Sequence, residues 1–169
     1  MKASTKTLIL VALTVAWIAL DQATKAAFAG MQPGDSFGLV LGGLVDLRLV
    51  HNTGAAWGIF AGNTVALGAF SLVVVCLLVG YFIWNRKSAN LFQVIGTALV
   101  VAGGIGNMID RFAQGYVTDF IAVTFMDFPV FNVADIGVTC GVVLLFIGLI
   151  LEWRTSDEHP ESTSPETIR

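Results

Sequence analysis

Polar residues divide the chain into four long apolar runs, at about residues 7–29, 64–84, 91–109 and 133–151. Each is close to the roughly 20 residues that a helix needs to cross the hydrocarbon core of a bilayer. The flanks agree with that reading. Lys2 and Lys6 open the first run, Asn85-Arg86-Lys87 separates the second from the third, and Arg154 follows the fourth. Basic flanks stay on the cytoplasmic side. The pattern therefore predicts a multi-pass protein with both termini and the Arg86-Lys87 turn in the cytoplasm, and with segments 30–63 and 110–132 on the far side. Each far-side segment carries one arginine, Arg48 or Arg111.

The first far-side segment has a second rhythm. In FGLVLGGLVDLRLVHN, Gly42-Gly43 lies between two apolar arms, and Asp46 and Arg48 alternate with Val45, Leu47 and Leu49. Alternation beside a glycine turn predicts a β-hairpin with one wet and one apolar face. WGIFAG at 57–62 then supplies aromatics suited to a membrane interface. In the second segment Ile121, Val123 and Phe125 alternate with Ala122, Thr124 and Met126. The fold class that follows is an all-α membrane protein with four transmembrane helices and a small extracytoplasmic β-hairpin. Its body spans residues 1–154, and residues 155–169 form an acidic, disordered cytoplasmic tail.

Composition supports this. Of 169 residues, 56% are hydrophobic and 12% charged, against about 25% charged in soluble domains. The net charge of −3 is carried by the tail, in Asp157, Glu158, Glu161 and Glu166. No basic patch with interleaved aromatics is present, which argues against nucleic acid as a partner. Cys76 and Cys140 lie inside apolar runs, away from any CxxC or histidine, and read as small buried hydrophobes. The Lys-rich start and the AFAG at 27–30 resemble a cleavable signal peptide. Asp21 and Lys25, just before the would-be cleavage point, favour a retained first span.

Charge inside a membrane is costly and usually functional. Asp21 and Lys25 lie in the outer third of the first span, Asp110 and Arg111 end the third, Asp119 follows, and Asp135 opens the fourth. Four segments thus bring charge to the outer boundary, with nothing comparable at the inner boundary or midplane. Asp21 and Lys25 are four apart and share a helix face, as a positioning ion pair. Asn107 and Asp110 are three apart on one stripe, with Gly103 four before Asn107, where a missing side chain admits a neighbouring helix. Asp110 and Arg111 read as a scaffold pair. Asp119 and Asp135 have no basic residue one helical turn away. If they face each other, they share a proton, as an aspartyl dyad does; the alternative is that Asp135 merely caps the fourth helix.

Other chemistries fit less well. His51 with the aspartates makes a weak metal site, and neither HExxH nor a G-x-S-x-G nucleophile is present. The glycines near 103–106 lack the strand and third glycine of a dinucleotide site. A proton-coupled carrier would place charge near the midplane and show repeats and broken helices there. A lipid- or partner-binding scaffold would tolerate loss of either aspartate.

Five motifs occur together: DQATK (21–25), NTGAAWG (52–58), GGIGNMIDR (103–111), VTDF (117–120) and FNVAD (131–135). The set resembles the lipoprotein signal peptidases, the bacterial type II signal peptidases, over about residues 5–152. The resemblance implies a four-helix membrane aspartic endopeptidase with an extracytoplasmic β-cradle. It implies cleavage before the diacylglyceryl-modified cysteine of a prolipoprotein, in the bacterial inner membrane, and a block by the cyclic peptide globomycin. The implied catalytic residues are Asp119 and Asp135. Asn52, Gly54, Asn107, Arg111, Asn132 and Ala134 match substrate-binding or supporting positions, and Asp21, Lys25 and Asp110 structural polar ones. Neither cofactor nor metal is implied. Trp57 stands where the family often has Phe.

Overall fold

The computed structural model of the chain describes residues 1–54 and 62–157. Four helices carry the apolar runs: α1 (Ala3–Ala26), α2 (Thr64–Asn85), α3 (Leu91–Gln114) and α4 (Val133–Asp157). All four are long and apolar enough to cross a membrane. α3 is the centre of the bundle. In its most apolar window 67% of residues are buried, against 11%, 17% and 28% for α1, α2 and α4. The outward faces carry Leu8, Val15, Phe70, Leu77 and Phe146, all exposed. A bilayer, which is as apolar as these side chains, covers such a surface.

Small residues let the helices close on α3. A Cβ at Gly103 would run into the Ala134 carbonyl and come within 2.7 Å of Val138 Cγ2. Gly96 and Gly141 face each other's backbones, each with a carbonyl 2.7 Å from where a Cβ would be. The contact expected at Gly103 is therefore made, and α4 is its partner.

A three-stranded antiparallel sheet, β1 (Ser36–Val40), β2 (Val45–Asn52) and β3 (Val117–Val123), sits over one end of the bundle in the order β1-β2-β3. The expected hairpin forms, with Val40 opposite Val45. Its turn needs the positive φ of Gly42 (67°) and Gly43 (91°), which glycine adopts without a Cβ clash. β3 begins earlier than the alternation suggested and ends at Val123. It pairs Asp119 with Val50 and Thr118 with His51. Phe28, Leu49 and Phe120 form the small core beneath the sheet.

Four sequence expectations change. Helix α3 does not stop at 109 but continues to Gln114, ended by Gly115 at φ 79°, so Asp110 and Arg111 lie within it. The two are not a pair. Neighbours on a helix point about 100° apart: Asp110 meets Lys25 at 3.0 Å, whereas Arg111 Nη2 donates to the Gly54 carbonyl at 3.3 Å. Cys76 and Cys140 are exposed, because an apolar side chain in a membrane protein can turn to lipid instead of the protein interior. The opposite end of the bundle, expected from the basic flanks to be the inner one, also has a polar cluster. Gln93 Nε2 donates to Glu152 at 2.7 Å, Asn90 Nδ2 to the Gly148 carbonyl at 2.7 Å and Lys6 Nζ to the Lys87 carbonyl at 2.8 Å. The aromatic stretch at Trp57 falls outside the described residues.

Candidate active site

The site grows from the start of α4. Asn132 caps the helix: its Oδ1 accepts from the Asp135 N–H at 3.0 Å, and Asp135 Oδ2 accepts from the Asn132 N–H at 3.1 Å. This is a reciprocal capping box with Asp in the third position. The Ala134 N–H is taken up by Asp21 Oδ1 at 2.9 Å. Asp21 also receives support from the positive end of the α4 dipole. The expectation that Asp135 serves as a helix cap is thus met by one of its oxygens. The other, Oδ1, accepts from Asn107 Nδ2 at 2.8 Å.

Asp119 reaches the same place from β3. Its Oδ1 accepts from Asn132 Nδ2 at 2.6 Å and its Oδ2 from Asn52 Nδ2 at 2.9 Å. Asn132 therefore touches both carboxylates, one through its side chain and one through its backbone. Burial, and after it the nearby Asp135, push the Asp119 carboxyl up to about 7, against the Asn52 and Asn132 hydrogen bonds and the Lys25 charge, which act the other way. Two acidic groups held near each other in a buried site by neutral amides are suited to sharing one proton.

Behind the pair lies a charged lattice. Lys25 Nζ meets Asp21 Oδ2 at 2.9 Å and Asp110 Oδ2 at 3.0 Å, and donates to Asn107 Oδ1 at 3.0 Å. Asp110 Oδ2 also accepts from the Thr118 N–H at 3.0 Å, which ties α3 to β3. Gly106 is required here: a Cβ would stand 2.5 Å from Asp21 Oδ2. The lattice binds α1, α3, α4 and β3 at one level, the common depth that the sequence pattern implied.

In front of the pair is a cavity of about 470 Å³, lined by Asn52, Asn107, Arg111, Asp119 and Asp135 and by apolar Val117, Phe128, Phe131, Ile136 and Val138. Arg111 Nε is buried without a hydrogen-bond partner among the described residues. Gly54 closes the rim, its N–H donating to Asn52 Oδ1 at 2.9 Å. His51 is elsewhere. It stacks on Tyr116 at 3.8 Å and lines a second cavity, apart from the two aspartates. All eleven residues picked out as Asp119, Asp135, Asn52, Gly54, Asn107, Arg111, Asn132, Ala134, Asp21, Lys25 and Asp110 lie in this network.

Three contributors were not singled out from sequence. Gln22 Nε2 bridges Asp21 and Asp110 at 3.1 and 3.3 Å. Thr118 supplies the N–H to Asp110. Trp17 Nε1 donates to the Val133 carbonyl at 3.1 Å, with Gly137 kept bare to admit the indole. Trp17 lies four residues before Asp21, on the same helix face, which is the signal that points to it.

An apolar four-helix bundle with amide-held carboxylates at one end, open to an amphipathic cavity, defines a membrane-embedded acidic enzyme site. Comparison with known proteins narrows the class. Residues 13–151 match the family model described as signal peptidase (SPase) II. A lipoprotein signal peptidase of Lactiplantibacillus plantarum is 37% identical over 138 residues, covering 82% of this chain and 91% of that protein. One from Staphylococcus carnosus is 41% identical over 147 residues, covering 85% and 91%. A bacterial membrane enzyme solved by the in meso method at 2.3 Å superposes with a TM-score of 0.74 at 32% identity, covering 98% of this chain and 95% of that one. The chain belongs to the signal peptidase II family.

Proposed function

We propose that this chain is an aspartic endopeptidase that removes the signal peptide from diacylglyceryl-modified prolipoproteins, cutting just before the lipidated cysteine, with Asp119 and Asp135 as its catalytic pair. The observation that carries the assignment is Asn132 joining both carboxylates beside the cavity. One carboxylate takes a proton from water, and the resulting hydroxide equivalent adds to the scissile carbonyl carbon. The other, protonated, donates to the carbonyl oxygen as it becomes tetrahedral. The proton gained from water then passes to the departing amine as the C–N bond breaks. Arg111, whose buried Nε has no hydrogen-bond partner among the described residues, and Asn52 suit the substrate backbone. The apolar wall of Phe128, Phe131, Ile136 and Val138 suits its acyl chains or flanking residues.

The basic flanks support an orientation with both termini in the cytoplasm of a bacterial inner membrane and the site at the extracytoplasmic face. Residues 1–154 then form the peptidase unit, and 155–169 a cytoplasmic tail. The same cavity suits a cyclic peptide inhibitor such as globomycin, which spans polar and apolar walls.

The test is cleavage of a diacylglyceryl-modified prolipoprotein in detergent. Asp119→Asn and Asp135→Asn are each expected to abolish product while the protein stays folded. Near-normal cleavage by either variant removes that residue from the pair.

A further inference from the structure

Lys25 stands behind the acidic pair, not beside it. Its three contacts, Asp21 Oδ2, Asp110 Oδ2 and Asn107 Oδ1, match the three protons of an ammonium group. The third contact has a consequence. An ammonium donates and never accepts, so the Asn107 atom that faces it has to be oxygen. Asn132 Nδ2 donates to the same oxygen at 3.0 Å. With its oxygen fixed by two donors, the Asn107 amide turns its NH₂ onto Asp135 Oδ1 at 2.8 Å. A flipped amide would set NH₂ against the ammonium and oxygen against the carboxylate, losing three hydrogen bonds at once.

We propose that Lys25 is a positioning residue for the reaction: it locks the Asn107 amide, and through it the Asp135 carboxylate, in the orientation that the acidic pair needs. The inference rests on the reading of Asp119 and Asp135 as catalytic. Lys25 also acts through charge. The charged and titratable groups around it are Asp21 on α1, Asp110 and Arg111 on α3, Asp119 on β3, Asp135 on α4, and, across the second cavity, His51 on β2 and Tyr116 just before β3. Its cation works against the upward displacement of the Asp119 carboxyl. A structural ion pair alone would hold helices together and leave the amide and the pair's proton affinity out of account.

The experiment uses the full chain in mixed micelles with a diacylglyceryl-modified prolipoprotein. In Lys25→Met, kcat is expected to fall about 10²-fold, the scale of a small misplacement at a reacting centre. KM stays within about two-fold, since the residue does not touch substrate. Both limbs of the pH profile move to higher pH, because a cation near two carboxylates has gone. Lys25→Arg keeps a donor for Asn107 Oδ1, and the second cavity of about 440 Å³ that Lys25 lines gives the guanidinium room. It is expected to recover most of kcat and the wild-type pH profile.

A further variant guards against loss of folding. Lys25→Met with Asp110→Asn leaves Asp21 as the cluster's single charge, so the net charge is that of the wild type. It too is expected to fold and to lose kcat. Wild-type kcat and pH profile in Lys25→Met or in the double variant overturn the inference. So does unfolding of all three variants, which makes Lys25 purely structural. Asp119→Asn and Asp135→Asn run alongside. If either cleaves, the catalytic reading itself fails; if both are inactive and the Lys25 variants are normal, only the positioning role falls.

Discussion

Asp119 is a carboxyl group held against its preference. Two amides stabilise its charge, but burial and Asp135 outweigh them, and the group sits at about 7 instead of 3.8. The native protein therefore binds a proton between those values that the unfolded chain does not. Stability falls as pH rises through that window, and the full cost is present above about 7. At about 1.4 kcal/mol per unit, the cost is on the order of 4 kcal/mol. Asp119→Asn removes the titration and leaves every other group in common with the wild type. Its Tm relative to wild type is expected to rise between about pH 4 and pH 7, measured by thermal unfolding in a fixed detergent. A difference that stays flat with pH contradicts the raised value. Both aspartates were legible in the sequence, because charge in an apolar chain stands out and because the V-x-D-F and F-N-x-A-D patterns surround them. The amide roles were less so. Asn107 stood out by its helix stripe with Asp110, Asn52 and Asn132 only by matching motifs, and Gln22 not at all, because a neutral amide gives no sign in one dimension of which carboxylate it will meet.

Elements meet at this site through missing side chains. α4 can bring Asp135 to Asn107 because Gly103 has no Cβ and the Ala134 carbonyl fills the space. The obstacle at that position is backbone, which cannot rotate aside as a flexible side chain can. Gly103→Ala is therefore expected to push the start of α4 off α3. Overpacking of this kind costs about 1–3 kcal/mol, partly offset by alanine's better helix propensity of about 1 kcal/mol. Cleavage should suffer more than folding, since a small shift moves Asp135 away from Asn107 and Asn132 away from Asp119. A drop in kcat of about ten-fold or more with a Tm change of only a few degrees is the expected pair of results. Normal kcat indicates that α4 accommodates the methyl without moving the pair. The helices themselves were readable from apolar run length, and the hairpin from Gly42-Gly43. The end of α3 was not, because its last turns carry Asp110 and Arg111, whose charges are satisfied by α1 and by the Gly54 rim from outside the helix. The polar cluster at the opposite end of the bundle was not legible for a similar reason: Lys6 and Glu152 look like ordinary flanks until Lys87 and Gln93 are brought to them.

For the molecule as a whole, the proposed function makes depth the property that decides what can be cut. α1 and α3 end, and α4 begins, at the level of the charged lattice, and the sheet covers that end. Helices of 24 residues, as α1 and α3 are, extend about 36 Å at 1.5 Å per residue. That exceeds a hydrocarbon core of about 30 Å, so the lattice falls near the boundary and not at the centre. A substrate anchored by acyl chains in the same leaflet has its modified cysteine held at that boundary too. Each buried CH₂ contributes about 0.8 kcal/mol to such anchoring, so under the proposed function the lipid would set both affinity and height. An unlipidated prolipoprotein with an identical sequence should then enter the bundle with no fixed register between its scissile bond and Asp119 and Asp135. Its kcat/KM is expected to fall by about 10²-fold or more in bilayer vesicles. The deficit should shrink in detergent micelles, where no leaflet fixes the height of either partner. Equal cleavage of the two substrates in vesicles means that the pair recognises the peptide alone, and that the position of the lattice reflects helix packing instead of the depth of the lipid anchor.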